Sequence, residues 1–332
     1  MKRTATLLVV LTLATLSCRI SIDAFDPPPL ATPIPNLPAS ATPRIVQPTF
    51  TPVVVLPPAT PTPFVDTPAL TVEQLKNGQF DLPGIDGVLH PVQFEAGVFQ
   101  QGSDPAQPGY VSIVMTDPVA LGDLDGDGAD DAAAVIVENY GGTGQFVSVV
   151  AFLNRGGAPV YAASHFVDDR ALVNAFAIYH QEIYLDAIIH GFEDPGCCPN
   201  FSTRRTLRLW ENTLALASFS SQTPTGAQRS INIESPANGA EVDKVFTLQG
   251  NISIAPFENN LLYEVYIPGM NEPLTSGPLM VSAPDIGAPG TFELPLNFSA
   301  SGYIGPVRIT ISDLSAADGS LLAMDALFVD VK

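Results

Sequence analysis

Beyond residue 70 the chain alternates short apolar runs, rich in Val, Ile, Phe, Tyr and Leu, with clusters of Gly, Asn, Asp and Pro. Runs of this length with such boundaries predict strands, here over residues 92–99, 110–115, 132–138, 146–153, 160–166, 183–189 and 205–210. Residues 170–179 fit helix or strand, and the strand reading is preferred. One short helix is predicted over 72–76, because Thr71 and Gln74 have capping-box spacing and Leu70 can staple onto Leu75. The run Asn154-Arg155-Gly156-Gly157 reads as a hairpin turn. Residues 71–222 thus form an α+β domain with a mostly antiparallel sheet. A small, polar joint at 223–229 follows. Seven more strand patterns, at 230–234, 245–254, 261–267, 279–281, 291–298, 307–312 and 321–331, carry no helix signal and predict a sandwich over 230–332. The fold class is therefore mainly β.

The first 70 residues obey a different pattern. Lys2 and Arg3 precede an apolar run at 5–16, the layout of an export signal, and that run is shorter than the roughly 20 residues a bilayer-crossing helix needs. Thr15-Leu16-Ser17-Cys18 resembles a bacterial lipobox. The resemblance implies cleavage before Cys18 and a diacylglycerol group on its thiol, with the membrane as partner through acyl chains contributing roughly 0.8 kcal/mol per buried methylene. The other reading is a plain signal peptide cleaved near Ala14 or Ser17. Prolines crowd residues 27–68, with only Arg44 and Asp66 as charges, so 19–70 is expected to be a disordered, extended linker. At about 3.1 Å per residue the proline-rich stretch reaches at most roughly 130 Å. The expected location is the outer face of a cell membrane.

Charge narrows the partners. The 332 residues carry 34 acidic and 14 basic side chains, a formal net charge of -20. The only basic cluster is Arg204, Arg205 and Arg208, too little for phosphate-backbone binding, so nucleic acid is excluded as a partner. Hydrophobic residues make up 46% of the chain, enough to build cores.

The strongest chemical signal is Asp123-Leu124-Asp125-Gly126-Asp127-Gly128-Ala129-Asp130-Asp131. Carboxylates at alternate positions converge if the backbone curls, and Gly126 and Gly128 permit the curl. Asp123, Asp125, Asp127, the Ala129 carbonyl and Asp131 then offer oxygen ligands for a hard cation, Ca2+. The bidentate Glu of an EF-hand is absent, since its position holds Ala134. The loop instead resembles the calcium loops of integrin-type FG-GAP repeats, in which this spacing leads into a strand. The alternative is a solvated turn. Two carboxylates about 4 Å apart repel by roughly 4 kcal/mol at an effective dielectric of 20, so the four cannot converge unless a cation is present.

Cys197 and Cys198 are adjacent within Asp194-Pro195-Gly196-Cys197-Cys198-Pro199. A vicinal disulfide in an oxidising compartment and two free thiols both remain open. Zinc on these thiolates and His190 lacks a fourth ligand at familiar spacing. His90, His165, His180 and His190 fall in or beside predicted strands, and no nucleophile elbow or His-Glu-x-x-His helix accompanies them.

Residues 230–332 resemble the immunoglobulin-like domain of bacterial spore-germination and related surface proteins. The matching residues are Ser235-Pro236-Ala237-Asn238-Gly239, Leu248, Gly250, Phe257-Glu258, Gly290, Phe292 and Ala317-Asp318-Gly319-Ser320. The resemblance implies a non-catalytic, secreted interaction module. Residues 71–222, with the acidic loop and Cys-Cys-Pro turn, resemble uncharacterised bacterial lipoproteins, which implies no activity. The reading is a membrane-anchored surface protein that binds or adheres without turnover, its ligand an extracellular or envelope protein or a glycan. The alternatives are a surface hydrolase within 71–222 and an envelope or spore assembly protein.

Overall fold

A computed structural model describes residues 67–84, 87–270 and 272–332. The lipobox-like residues 15–18, Cys18 among them, and all but the end of the proline-rich stretch lie outside the described residues. The protein is mainly β. Helix α1 (Val72–Lys76) is followed by β1 (Gln79–Pro83), β2 (Leu89–Gln93), β3 (Val98–Gln101), β4 (Val111–Met115), β5 (Ala120–Gly122), β6 (Asp131–Asn139), β7 (Phe146–Asn154) and β8 (Pro159–Asp169). Next come β9 (Leu172–Tyr179), β10 (Glu182–Ile189), β11 (Phe201–Trp210), β12 (Thr213–Gln222), β13 (Gln228–Arg229), β14 (Ile231–Ser235) and β15 (Glu241–Val242). The chain ends with β16 (Val245–Ile252), β17 (Asn260–Tyr266), β18 (Thr275–Met280), β19 (Gly290–Asn297), β20 (Gly305–Leu314) and β21 (Leu321–Val331).

The helix is held as its sequence predicts. Thr71 N–H donates to Gln74 Oε1 (2.8 Å) and Gln74 N–H returns to Thr71 Oγ1 (3.2 Å), while Leu70 and Leu75 are buried. The carbonyl of Pro68, at the end of the expected linker, accepts from Asn154 Nδ2 at 2.9 Å, so this end of the proline-rich stretch is tied to the fold. Residues 92–99 do not form one strand. Ala96 and Gly97 adopt φ of 50° and 82°, and this tight turn divides the run between β2 and β3.

Three layers build the first part. Strands β3, β4, β6, β7 and β8 make a sheet with β5 on its edge, and the β1–β2 hairpin and α1 cover one face. Its other face packs against β9 to β12. Strand β6 therefore has both faces covered: Ala132, Ala134 and Ile136 face the hairpin layer, and Ala133 and Val135 face the second sheet. That double burial explains why its sequence, Ala-Ala-Ala-Val-Ile-Val, is apolar throughout instead of alternating.

The second part is a β-sandwich. Strands β14, β16 and β19 pack on β18, β17, β20 and β21, with β15 running parallel to the end of β21. Leu248, Val265, Val307, Ile309 and Ile311 are fully enclosed between these sheets. The two parts are not merely tethered. One sheet runs continuously in the order β18-β17-β20-β21-β12-β11-β10-β9, through the pairs Ser218↔Asp325 and Phe219↔Met324. Ala217, Phe219, Met324, Ala326 and Phe328 form a separate apolar cluster at this seam. Ser221 Oγ donates to Leu322 O (2.6 Å), and Arg308 donates to Leu216 O (2.9 Å).

Asp325 at the seam accepts from Ile233 N–H (2.7 Å) and Ala326 N–H (3.1 Å). Burial pushes its carboxyl up to about 7, outweighing those donors, and Glu182 adds in the same direction. An unfolded Asp titrates near ~3.9, so the folded chain holds this proton where the unfolded chain has released it. The contribution is full below the unfolded value and is lost as pH rises through about 7. Asp325→Asn removes this titration. Its melting temperature is expected to lie below that of the parent at about pH 5, with the gap closing by about 4 °C at about pH 8. A gap that stays constant across this range, followed by calorimetry, contradicts the assignment.

Candidate functional site

The acidic loop links β5 to β6 and is shaped by its own carboxylates. Asp123 Oδ1 accepts from Gly126 N–H (2.6 Å) and Oδ2 from Gly128 N–H (3.1 Å). Asp125 and Asp127 each accept from the N–H two residues on, at 3.2 and 2.8 Å. Gly126 and Gly128 take φ of 81° and 85°, the left-handed region in which a side chain would be strained. Beside them lies Gln181, in the turn between β9 and β10; its amide would be 3.3 Å from a Cβ at Gly126.

Asp131 opens β6 and is fully buried. Its oxygens accept from Leu124 N–H and Asn154 N–H, both at 2.8 Å, so the carboxylate clamps the loop to the end of β7. Burial pushes its pKa up; the two backbone donors oppose this, and neighbouring Asp125 pushes it up further. Asn154 completes the clamp, donating through Nδ2 to Asp130 O (3.1 Å) and accepting from Gly157 N–H (2.7 Å). The Asn154-Arg155-Gly156-Gly157 turn does more than reverse the chain.

Carboxylate oxygens of Asp123, Asp125 and Asp131 lie within 4.8 Å of one another. Asp127 is outside that cluster, and its carboxylate faces Arg155 at 3.6 Å and the Ala129 N–H. Ala129 is half-buried in the loop. Arg155 reaches Asp125 Oδ2 at 3.0 Å and supplies a positive charge of the kind that convergence requires. Sequence reasoning took Arg155 and Asn154 as turn residues only. The mutual repulsion of the carboxylates reads as a demand for a metal cation, and a basic side chain from the neighbouring turn meets part of that demand through a tertiary contact that local spacing does not announce.

Cys197 and Cys198 are joined by a disulfide in the exposed loop between β10 and β11. Asp194 braces this loop by accepting from Gly191 N–H (2.7 Å) and Asn200 N–H (2.8 Å), which hold its carboxyl below the usual range. Arg170 donates to Gly196 O (2.6 Å), Thr143 O (2.6 Å) and Asp169, tying this loop to the β6–β7 turn. Bonded to its neighbour, Cys198 offers no thiolate to His190 or to zinc.

His190, Asp168, Arg205 and His165 interact pairwise in that order. His190 meets Asp168 Oδ2 with both its backbone N–H (2.5 Å) and its Nδ1 (2.8 Å). Arg205 is buried, stacks over Phe219 at 5.2 Å and donates to Thr203 Oγ1 at 3.3 Å. Burial lowers its pKa to about 10 against the pull of Asp168. Burial likewise lowers His165 to about 4, with Arg205 contributing, so this imidazole is neutral at ordinary pH. Of the other arginines, Arg204 pairs with Asp186 across the sheet (2.9 Å), and Arg208 stacks over Phe328 (5.0 Å). No protein-family model matches the chain, and no curated protein matches it.

The loop clamp generates a direct expectation. Asp131→Asn turns one accepting oxygen into a donor facing a buried N–H, so stability should fall by about 2 kcal/mol in denaturant unfolding. A change indistinguishable from zero removes Asp131 from this role.

Proposed function

We propose that the protein is a lipid-anchored, extracytoplasmic binding protein that presents its ligand-binding surface on a rigid β body and carries out no turnover. The observation that carries this reading is the order of parts along the chain. An export-type start with Cys18 in a lipobox-like setting precedes a proline-rich stretch, and a body with two cores joined by one sheet follows. Such an order suits display at a distance from a membrane. The disulfide between Cys197 and Cys198 supports an oxidising compartment. The immunoglobulin-like sandwich supports contact with an envelope protein or a glycan.

In this reading Ca2+ is the structural ion of the acidic loop, with Asp123, Asp125 and Asp131 as its carboxylate ligands. The hard, oxygen-only donor set fits calcium chemistry. Arg155 then competes with the ion for Asp125. An extracellular module of this kind binds at roughly 10⁻⁴ to 10⁻³ M.

Two measurements test the parts separately. Metabolic labelling of the native host with a radioactive fatty acid should mark the protein in the membrane fraction, and Cys18→Ser should abolish the label. A soluble, unlabelled parent refutes the anchor. In calorimetric titration with calcium, Arg155→Gln should bind about threefold more tightly than the parent, and Asp125→Asn should bind more weakly, as expected for an exposed competing ion pair. Absence of calcium heat in both the parent and Arg155→Gln refutes the metal.

A further inference from the structure

At the far end of β6 from the acidic loop, the face that packs beneath the β1–β2 hairpin runs Ala132, Ala134, Ile136 and then Glu138. Strand alternation thus places a carboxyl in an otherwise apolar row. Across the sheet the row at this level reads Phe99, Ile113, Glu138 and Phe146, by the registers Phe99↔Ile113, Ile113↔Glu138 and Glu138↔Phe146. Glu138 is only 7% exposed. Its Oε1 accepts from Tyr140 OH at 2.8 Å.

Glu138 and Tyr140 line two adjoining cavities, of about 380 and 420 Å³. The first is walled by Phe146 and Phe166, and the second by Phe99 with His90 from the hairpin. The Tyr140 and Phe146 rings are 6.2 Å apart and tilted by 43°, so they form two walls of a corner instead of a closed stack. Phe166 is 57% exposed, although it belongs to a sheet whose other large apolar side chains on this face are mostly covered. A buried carboxyl needs a counter-charge or a proton, and burial pushes the Glu138 pKa up despite the Tyr140 hydrogen bond. Ring faces carry partial negative charge and attract cations that have shed water. The net charge of -20 adds a long-range pull on cations.

We propose that this cleft binds a small, soluble organic ammonium ion, with the Glu138 carboxylate as its counter-charge and the rings of Tyr140, Phe146 and Phe166 as its walls. The volume suits a trimethylammonium or alkylammonium head with a short tail. A hydrated metal ion gains little from aromatic walls, and an anion is repelled by Glu138. The inference adds a small-molecule site in the first part of the body to the envelope-protein or glycan contact proposed for the sandwich, and it stands whether or not Cys18 carries lipid.

The test is calorimetric titration of the full chain with choline and, in parallel, with its uncharged analogue in which carbon replaces nitrogen. The two have the same shape and differ in charge. Choline should bind about tenfold more tightly than the analogue, and Glu138→Gln should remove that preference. Phe166→Ala, which alters an exposed side chain and leaves the core intact, should weaken choline by about threefold or more, so the test survives if Glu138→Gln fails to fold. Equal binding of the two compounds, no binding of choline, or undiminished binding in both variants overturns the proposal.

Discussion

The pairing of β12 with β21 is the constraint on which the rest of the structure depends. Two register pairs are a short join, and backbone hydrogen bonds contribute only about 1 kcal/mol net each. The apolar cluster around Phe219, Met324 and Phe328 supplies most of the driving force. The polar bonds of Ser221, Arg308 and Asp325 at the seam then select one register, because a slip would strand buried donors and acceptors. Because the sheet is continuous through that seam, β9 to β11 extend the sheet of the sandwich and form the floor on which the first six-stranded sheet packs.

Strand β6 converts this scaffold into chemistry. Its buried run fixes the strand on both faces, and a carboxylate stands near either end, Asp131 at the acidic loop and Glu138 in the aromatic cleft. They are separated by about 23 Å along an extended strand. Asp131 has both oxygens engaged by backbone N–H groups and acts on the shape of its loop. Glu138 borders open space, and its surroundings suit a positive guest. The same residue chemistry, placed at two ends of one strand, meets two different environments.

Much of this was legible in the sequence, and the omissions have physical causes. The capped helix, the strand-rich character, the sandwich over 230–332 and the curl of the acidic loop follow from local spacing, which acts over a few residues. Strand β12 was missed, although it carries the seam. Its sequence, Thr-Leu-Ala-Leu-Ala-Ser-Phe-Ser-Ser-Gln, is rich in Ala and Ser, and a bulge between Thr206 and Leu207 in its pairing with β11 breaks the alternation of buried residues. Glu138 likewise read as a strand-terminal polar residue. Only the hairpin folded over it, from residues some fifty positions earlier, makes it a buried carboxyl. Arg155 and Arg205 acquire their roles from partners distant in sequence, which no local spacing can announce.

The seam can be tested through the sole tryptophan, Trp210, whose ring lies 6.3 Å from Phe328 across it. In equilibrium urea unfolding of the full chain, Trp210 fluorescence reports the seam and far-ultraviolet circular dichroism reports the sheets of both cores. If the seam holds the cores as one cooperative body, the two signals share a single midpoint. A Trp210 transition completed at lower urea than the loss of sheet signal would show the cores folding independently and would contradict the account.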